Sequence, residues 1–134
     1  TGYIDTNYAG KATAAIKAAS RCDLVYVHVE AIDEVSHEQN LKLKIESIEN
    51  FDNLLVGPVL DALGNDVNFA VLPDHPVPIS IGKHTRKPVP VSVRMQGKNP
   101  DIVKTFDEIS CQNGSLGNMA NGELMELLFG KAKI

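Results

Sequence analysis

The period of apolar and polar positions changes several times along the chain, and the changes mark its elements. Ala12, Ala15, Ile16 and Ala19 recur at helical spacing and predict a helix over about 8–21, with side chains small enough to lie close against a sheet. Before it, Gly2, Asp5, Asn7 and Gly10 read as an entry loop. From Asp23 to Glu30 the run Leu24-Val25-Tyr26-Val27-His28-Val29 is almost continuously apolar. That predicts a strand covered on both faces, as in the centre of an α/β sheet. Residues 31–40 are polar and read as a loop. Leu41, Ile45, Ile48, Leu55 and Val59 mark one face of a long helix. Asn40 is its N-cap, and Ser36 with Gln39 forms a competing capping box. Pro58 kinks this helix or starts a second piece, and Gly64-Asn65 closes it. Val67–Leu72 and Val89–Arg94 read as short strands. The prolines at 76 and 78 make residues 77–81 an edge or a loop. Turns follow at 96–101, Asn113-Gly114 and Gly117-Asn118. Residues 124–129 read as a terminal helix, with Met119, Leu124, Leu127 and Leu128 on its apolar side.

Helices therefore alternate with strands, which argues an α/β fold with a largely parallel sheet flanked by helices. In such sheets ligands bind beyond the carboxyl ends of the strands. Length changes the picture little: 134 residues fit one domain, 1–134. Charge excludes more. A net charge of −4, 5% aromatic residues and no Trp leave no basic or stacking surface for nucleic acid or anionic lipid. No apolar run approaches the ~20 residues needed to span a membrane. Cys22 and Cys111 are far apart and unpatterned, the usage of reduced thiols in a cytoplasmic protein. The chain starts at Thr1 without an initiator Met, as an excised fragment would, and a cut sheet edge would favour self-association.

Candidate chemistry gathers at the two strand ends. Asp33 and His37 follow the first strand, four residues apart, a spacing that brings two side chains to one point on a helical turn. Asp74 and His75 follow the second, and His84 comes nine residues later. Carboxylate and imidazole together suit Mn²⁺, Zn²⁺ or Fe²⁺. Adjacent residues diverge in extended backbone. Asp74 and His75 thus serve one ion only if the chain bends sharply there; otherwise they serve different sides of a two-ion site. His28, among valines, reads first as a core histidine bonded to a neighbour. Glu30 is a solvated strand-end carboxylate or a support for a ligand. Arg86 and Lys87 read as exposed loop residues, with contact to a substrate phosphate as the sharper alternative.

Taken in order, these motifs resemble a known family. The run from Asp23 through Val27, Asp33 and His37 resembles the metal-binding segment of cofactor-independent phosphoglycerate mutases, archaeal-type branch. Leu72-Pro73-Asp74-His75-Pro76 resembles their second metal segment, and His84-Thr85 with Pro88-Val89-Pro90 their third. The stretch Asp5 to Lys11 is similar to one just upstream in that branch, and the likeness runs over nearly the whole chain. It implies an alkaline-phosphatase-like fold and interconversion of 3-phosphoglycerate and 2-phosphoglycerate, a glycolytic isomerase activity, through a phosphoserine enzyme. It also implies two divalent ions (Mn²⁺, Mg²⁺ or Zn²⁺) and no organic cofactor. By resemblance, Asp33, His37 and His84 bind one ion, and Asp74 and His75 help bind the second.

The departures are as informative. The family's Ser nucleophile, an Asp ligand of the second ion and an Arg-rich substrate-clamping domain have no match here; Ser36 and Ser80 lack the nucleophile's context. The expectation is the C-terminal part of a larger enzyme, with no catalytic residue of its own and inactive alone. The alternatives are a fragment of another phosphatase or phosphotransferase of the superfamily, and a metal-free structural or interaction domain.

Overall fold

Asn7 starts the first helix. Its Oδ1 accepts the Gly10 N–H at 2.8 Å, covering one of the amides a helix start leaves without a partner. Helix α1 then runs Tyr8–Ala19 and buries Tyr8, Ala12 and Ala15, so a residue read as entry loop is in fact the cap. The computed structural model describes residues 3–130. They fall into two units, the described part of Thr1–Gly64 with Val77–Thr85, and Asn65–Pro76 with the described part of Arg86–Ile134.

In the first unit, residues 31–40 are not simply a loop. They contain helix α2, Ala31–His37. Ala31 and Val35, one turn apart, are both fully buried and give the short segment an apolar side. Asp33 and Glu34 stand in its first turn, where a carboxylate meets the positive end of the helix dipole. Asn40 caps the next helix, its Oδ1 accepting the Leu43 N–H at 3.1 Å. The competing box does not form, because Ser36 Oγ donates back to Ile32 O. Helix α3, Leu41–Phe51, passes through one wide π turn, Asp52–Val56, into α4, Gly57–Leu63. In a regular helix the Pro58 ring would collide with the carbonyl four residues back. The turn widens directly before it, with the Gly57 N–H reaching Asp52 O. Proline thus sets the division of the long helix.

Leu55 and Val59 from this rod join Tyr8, Ala12, Ala15, Ala31, Val35 and Val77 as the buried apolar residues of the unit. The small alanines let α1 lie against the π turn and α4. Burial pushes the Tyr8 phenol above its ordinary value of 10.0. The first half of the predicted helical face behaves differently: Leu41, Ile45 and Ile48 remain roughly half exposed.

The run after Asp23 is extended, with Val25, Val27 and Val29 half-buried and Leu24, Tyr26 and His28 exposed. Its sequence predicts a central strand covered on both faces. Among the described residues it makes no backbone ladder. β-Branched sequence favours extension, but a strand exists only with a hydrogen-bonded neighbour.

The second unit holds the one ladder among the described residues. Strands β1, Phe69–Val71, and β2, Ser92–Arg94, pair antiparallel, with Ala70 opposite Val93. The largely parallel arrangement is therefore not formed by these residues themselves. Asn68 fastens this sheet at both ends of its amide: Nδ2 donates to Leu128 O at 2.7 Å and Oδ1 accepts the Gln96 N–H at 2.9 Å. Helix α5, Glu123–Leu128, forms where the terminal helix was expected and buries Leu127. The intervening loops are held by carboxylates. Asp101 accepts the Val103 and Ser115 N–H groups, and Asp107 those of Ile109 and Ser110.

Candidate metal centre

The short helix α2 decides the geometry of the first cluster. Its 3.6-residue period sets Asp33 and His37 on one face, and His37 Nε2 lies 3.4 Å from Asp33 Oδ2. His84 arrives from the loop after Val77, in the same unit. Its Nε2 is 3.0 Å from His37 Nε2 and 3.8 Å from Asp33 Oδ1. His37 Nδ1 is 2.9 Å from Gly82 O. A carbonyl only accepts, so in neutral His37 the proton is on Nδ1 and the Nε2 lone pair faces His84 and Asp33.

Donor separation tests whether such a cluster fits an ion. Ligand atoms about 2.0–2.2 Å from a metal stand about 3.3–3.6 Å apart at tetrahedral corners and about 2.8–3.1 Å apart at adjacent octahedral corners. The His37–His84 separation of 3.0 Å falls in the octahedral range and the His37–Asp33 Oδ2 separation of 3.4 Å in the tetrahedral one, while His84 stands 3.8 Å from the other carboxylate oxygen, Oδ1, slightly beyond both. The chemistry also fits: two imidazoles and one carboxylate suit Zn²⁺ or Mn²⁺. The imidazoles keep solvent access, with side chains 40% and 53% exposed, while Asp33 is 24% exposed. Three protein donors with an open side leave room for a further oxygen ligand.

Asp74 and His75 belong to the second unit. The chain bends between Pro73 and Pro76, and the Asp74 carboxylate folds back over its neighbour. Its Oδ1 accepts the His75 N–H at 3.0 Å, and Oδ2 lies 3.4 Å from His75 Nε2. The side chains of these adjacent residues therefore do not diverge as they would in extended backbone; across the bend the Asp74 carboxylate meets both the amide and the ring of His75.

His28 is hydrogen-bonded to a neighbour, with Nε2 2.6 Å from Glu30 Oε2, but it is exposed rather than in the core. Tyr26 stacks on it at a centroid distance of 6.2 Å. Lys11 Nζ donates to His28 O at 2.9 Å, tying α1 to the extended run. Arg86 and Lys87 are exposed. The sequence pattern marks Gln39 only as a capping partner and Gly82 not at all, yet the Gly82 carbonyl meets His37 and the Gln39 amide donates to Ile79 O at 2.9 Å; nothing local distinguishes them, since their partners lie 45 and 40 residues away.

A helix-borne carboxylate and imidazole met by a loop histidine are donors that a divalent metal ion can use, and the sequence matches a metalloenzyme family. The chain belongs to the metalloenzyme superfamily, which is alkaline-phosphatase-like; residues 1–131 match it, and membership implies divalent metal ions. More particularly, the chain is 50% identical over 132 residues to the 2,3-bisphosphoglycerate-independent phosphoglycerate mutase of Methanosarcina acetivorans, an alignment covering 96% of this chain and 33% of that protein. It is 45% identical over 131 residues to the enzyme of the same name from Methanothrix thermoacetophila, again covering 96% and 33%. The chain thus spans about a third of the length of these relatives. Among solved structures, the PH0037 protein of Pyrococcus horikoshii superposes with a TM-score of 0.92 at 28% identity, over 100% of this chain and 42% of that one. No helix among the described residues is long and apolar enough to cross a membrane.

Proposed function

We propose that residues 1–134 form the metal-binding third of a 2,3-bisphosphoglycerate-independent phosphoglycerate mutase, a cytoplasmic enzyme of glycolysis. The observation that carries the reading is the convergence of Asp33, His37 and His84 in a chain 45–50% identical to such mutases. In this reading Asp33, His37 and His84 hold one divalent ion, and Asp74 and His75 contribute to a second; Mn²⁺, Mg²⁺ and Zn²⁺ are the candidates. When bound, the ions supply Lewis acidity and positive charge that lower a serine hydroxyl's pKa and offset charge developing on a transferring phosphoryl group. The residues of this chain hold and orient. Asp33 supplies one negative charge, the Gly82 carbonyl keeps the His37 proton on Nδ1, and the exposed side of the imidazoles admits a phosphate oxygen. The serine that accepts the phosphoryl group from one hydroxyl of phosphoglycerate and returns it to the other is proposed to lie in the part of the relatives that this chain does not span.

Self-association through the extended run Leu24–Val29 belongs to the same proposal and is supported by its lack of ladder partners among the described residues. The function is tested by incubating the purified chain with Mn²⁺ and 3-phosphoglycerate. No 2-phosphoglycerate is expected from the chain alone, and turnover is expected once the rest of the enzyme is supplied. Turnover by residues 1–134 alone would overturn the reading, as would an assembled enzyme that only hydrolyses phosphate esters.

A further inference from the structure

The loop that brings His84 to the cluster is fastened at three points to the end of α2, the corner after it and the start of α3. Lys44 Nζ donates to Val77 O at 2.9 Å, Gln39 Nε2 to Ile79 O at 2.9 Å, and His37 Nδ1–H to Gly82 O at 2.9 Å. Between them the loop closes on itself, the Ile81 and Gly82 N–H groups both reaching Pro78 O. Two backbone positions in this corner are unusual. Gln39 has φ +56°: it is the left-handed residue that closes α2, with its own N–H on Ser36 O and the Asn40 N–H on Val35 O, and this turn sends its side chain towards the loop. Gly82 has φ +63°, and a Cβ there would stand 2.9 Å from Gln39 Cγ and 3.1 Å from His37 O. The Gly82 backbone is therefore pressed between the Gln39 stem and the end of α2, at the place from which its carbonyl reaches the imidazole.

We propose that Gln39 and Gly82 are positioning residues for the metal centre. The Gln39 amide pins the loop at Ile79, and the missing side chain at Gly82 lets its carbonyl hold the proton on His37 Nδ1. Together they aim the Nε2 lone pair at the point shared with His84 and Asp33. The proposal rests on the reading that these three residues hold an ion, and it goes beyond that reading by assigning two residues that touch neither metal nor substrate. Outer partners that orient a ligating histidine typically change metal affinity 10–100-fold when removed.

The test uses the full chain with ¹⁵N-labelled imidazoles. In the metal-free protein at a pH where His37 is neutral, the NMR spectrum is expected to show His37 protonated on Nδ1. Gln39→Glu keeps the size but replaces the donor with a carboxylate facing the Ile79 carbonyl. It is expected to populate the other tautomer and weaken Mn²⁺ or Zn²⁺ binding 10–100-fold by calorimetry. Gln39→Lys, which retains a donor able to reach Ile79, is expected to bind within about threefold of the native chain. Gln39 is exposed, so both variants should fold, which circular dichroism checks; Gly82→Ala should act like Gln39→Glu if it folds. A native His37 protonated on Nε2, or a Gln39→Glu chain with native tautomer and native affinity, would overturn the proposal. A native Nδ1 proton that is lost in Gln39→Glu, with no heat from either ion, would count against the metal reading alone and still support the positioning of His37.

Discussion

Asp33→Asn is the most direct probe of the candidate centre, and its size follows from the geometry. The carboxylate lies 3.4 and 3.8 Å from the two Nε2 atoms, and an ion between them would touch it at about 2.1 Å. Even with the dielectric constant of water, a unit charge at that distance from a divalent ion interacts by about 4 kcal/mol. Asp33 is 24% exposed, so its surroundings screen less than water does, whereas the cost of stripping water from the carboxylate opposes the gain. An amide oxygen retains a dipole and the same shape. The expected net loss is about 3–4 kcal/mol, two to three decades in Kd. Isothermal titration of the metal-free chain with Zn²⁺ and with Mn²⁺ measures it, with thermal unfolding as a control that the variant is folded. A Kd within threefold of the native value would falsify the assignment of Asp33 as a ligand.

The remaining predictions concern stability and assembly. Leu55→Ala removes a side chain, only 4% exposed, from the π turn of the long rod, which packs against α1; urea unfolding should show a loss of about 2–5 kcal/mol, and a loss under 1 kcal/mol would mean this core is not closed as described. Asn40→Ala should cost about 1 kcal/mol by removing the cap on Leu43, read by the same unfolding assay. The Ser110 amide and hydroxyl, the Thr105 hydroxyl and the Ile109 amide hold the Asp107 carboxyl down to about 2, from an ordinary 3.8, and the Ser115 and Val103 amides lower Asp101 in the same direction. Because the folded values are depressed, this stabilisation is complete above the unfolded value and is lost as pH falls through the folded one. A carbon-detected titration should place the Asp107 midpoint near 2, and a midpoint near 4 would refute the loop geometry. Sedimentation velocity should show concentration-dependent association that Tyr26→Lys, a charge on the most outward-facing position of the extended run, reduces; a strictly monomeric native chain at high concentration would remove that proposal.

The chain's own pattern determined what depends on near neighbours. Alanine spacing determined α1, and Asn40 determined the start of α3. Pro58 marked a break in the rod, and the 33/37 spacing placed a carboxylate and an imidazole on one face. These are local because a helix satisfies its hydrogen bonds within a few residues. Tertiary structure decided the rest. Residues 31–37 look polar, yet they become a helix because Ala31 and Val35 find cover from elsewhere in the unit. Leu24–Val29 has every local preference for a strand and pairs with nothing among the described residues, since a ladder is a property of two segments. The bend that folds Asp74 onto His75 has visible causes in the flanking prolines, but its sense does not. Most non-local of all, His84 reaches His37 through a loop tied down at Val77, Ile79 and Gly82 by residues 33 to 45 positions earlier. A one-dimensional pattern records that the imidazoles exist; only the folded corner brings their lone pairs within 3.0 Å of each other.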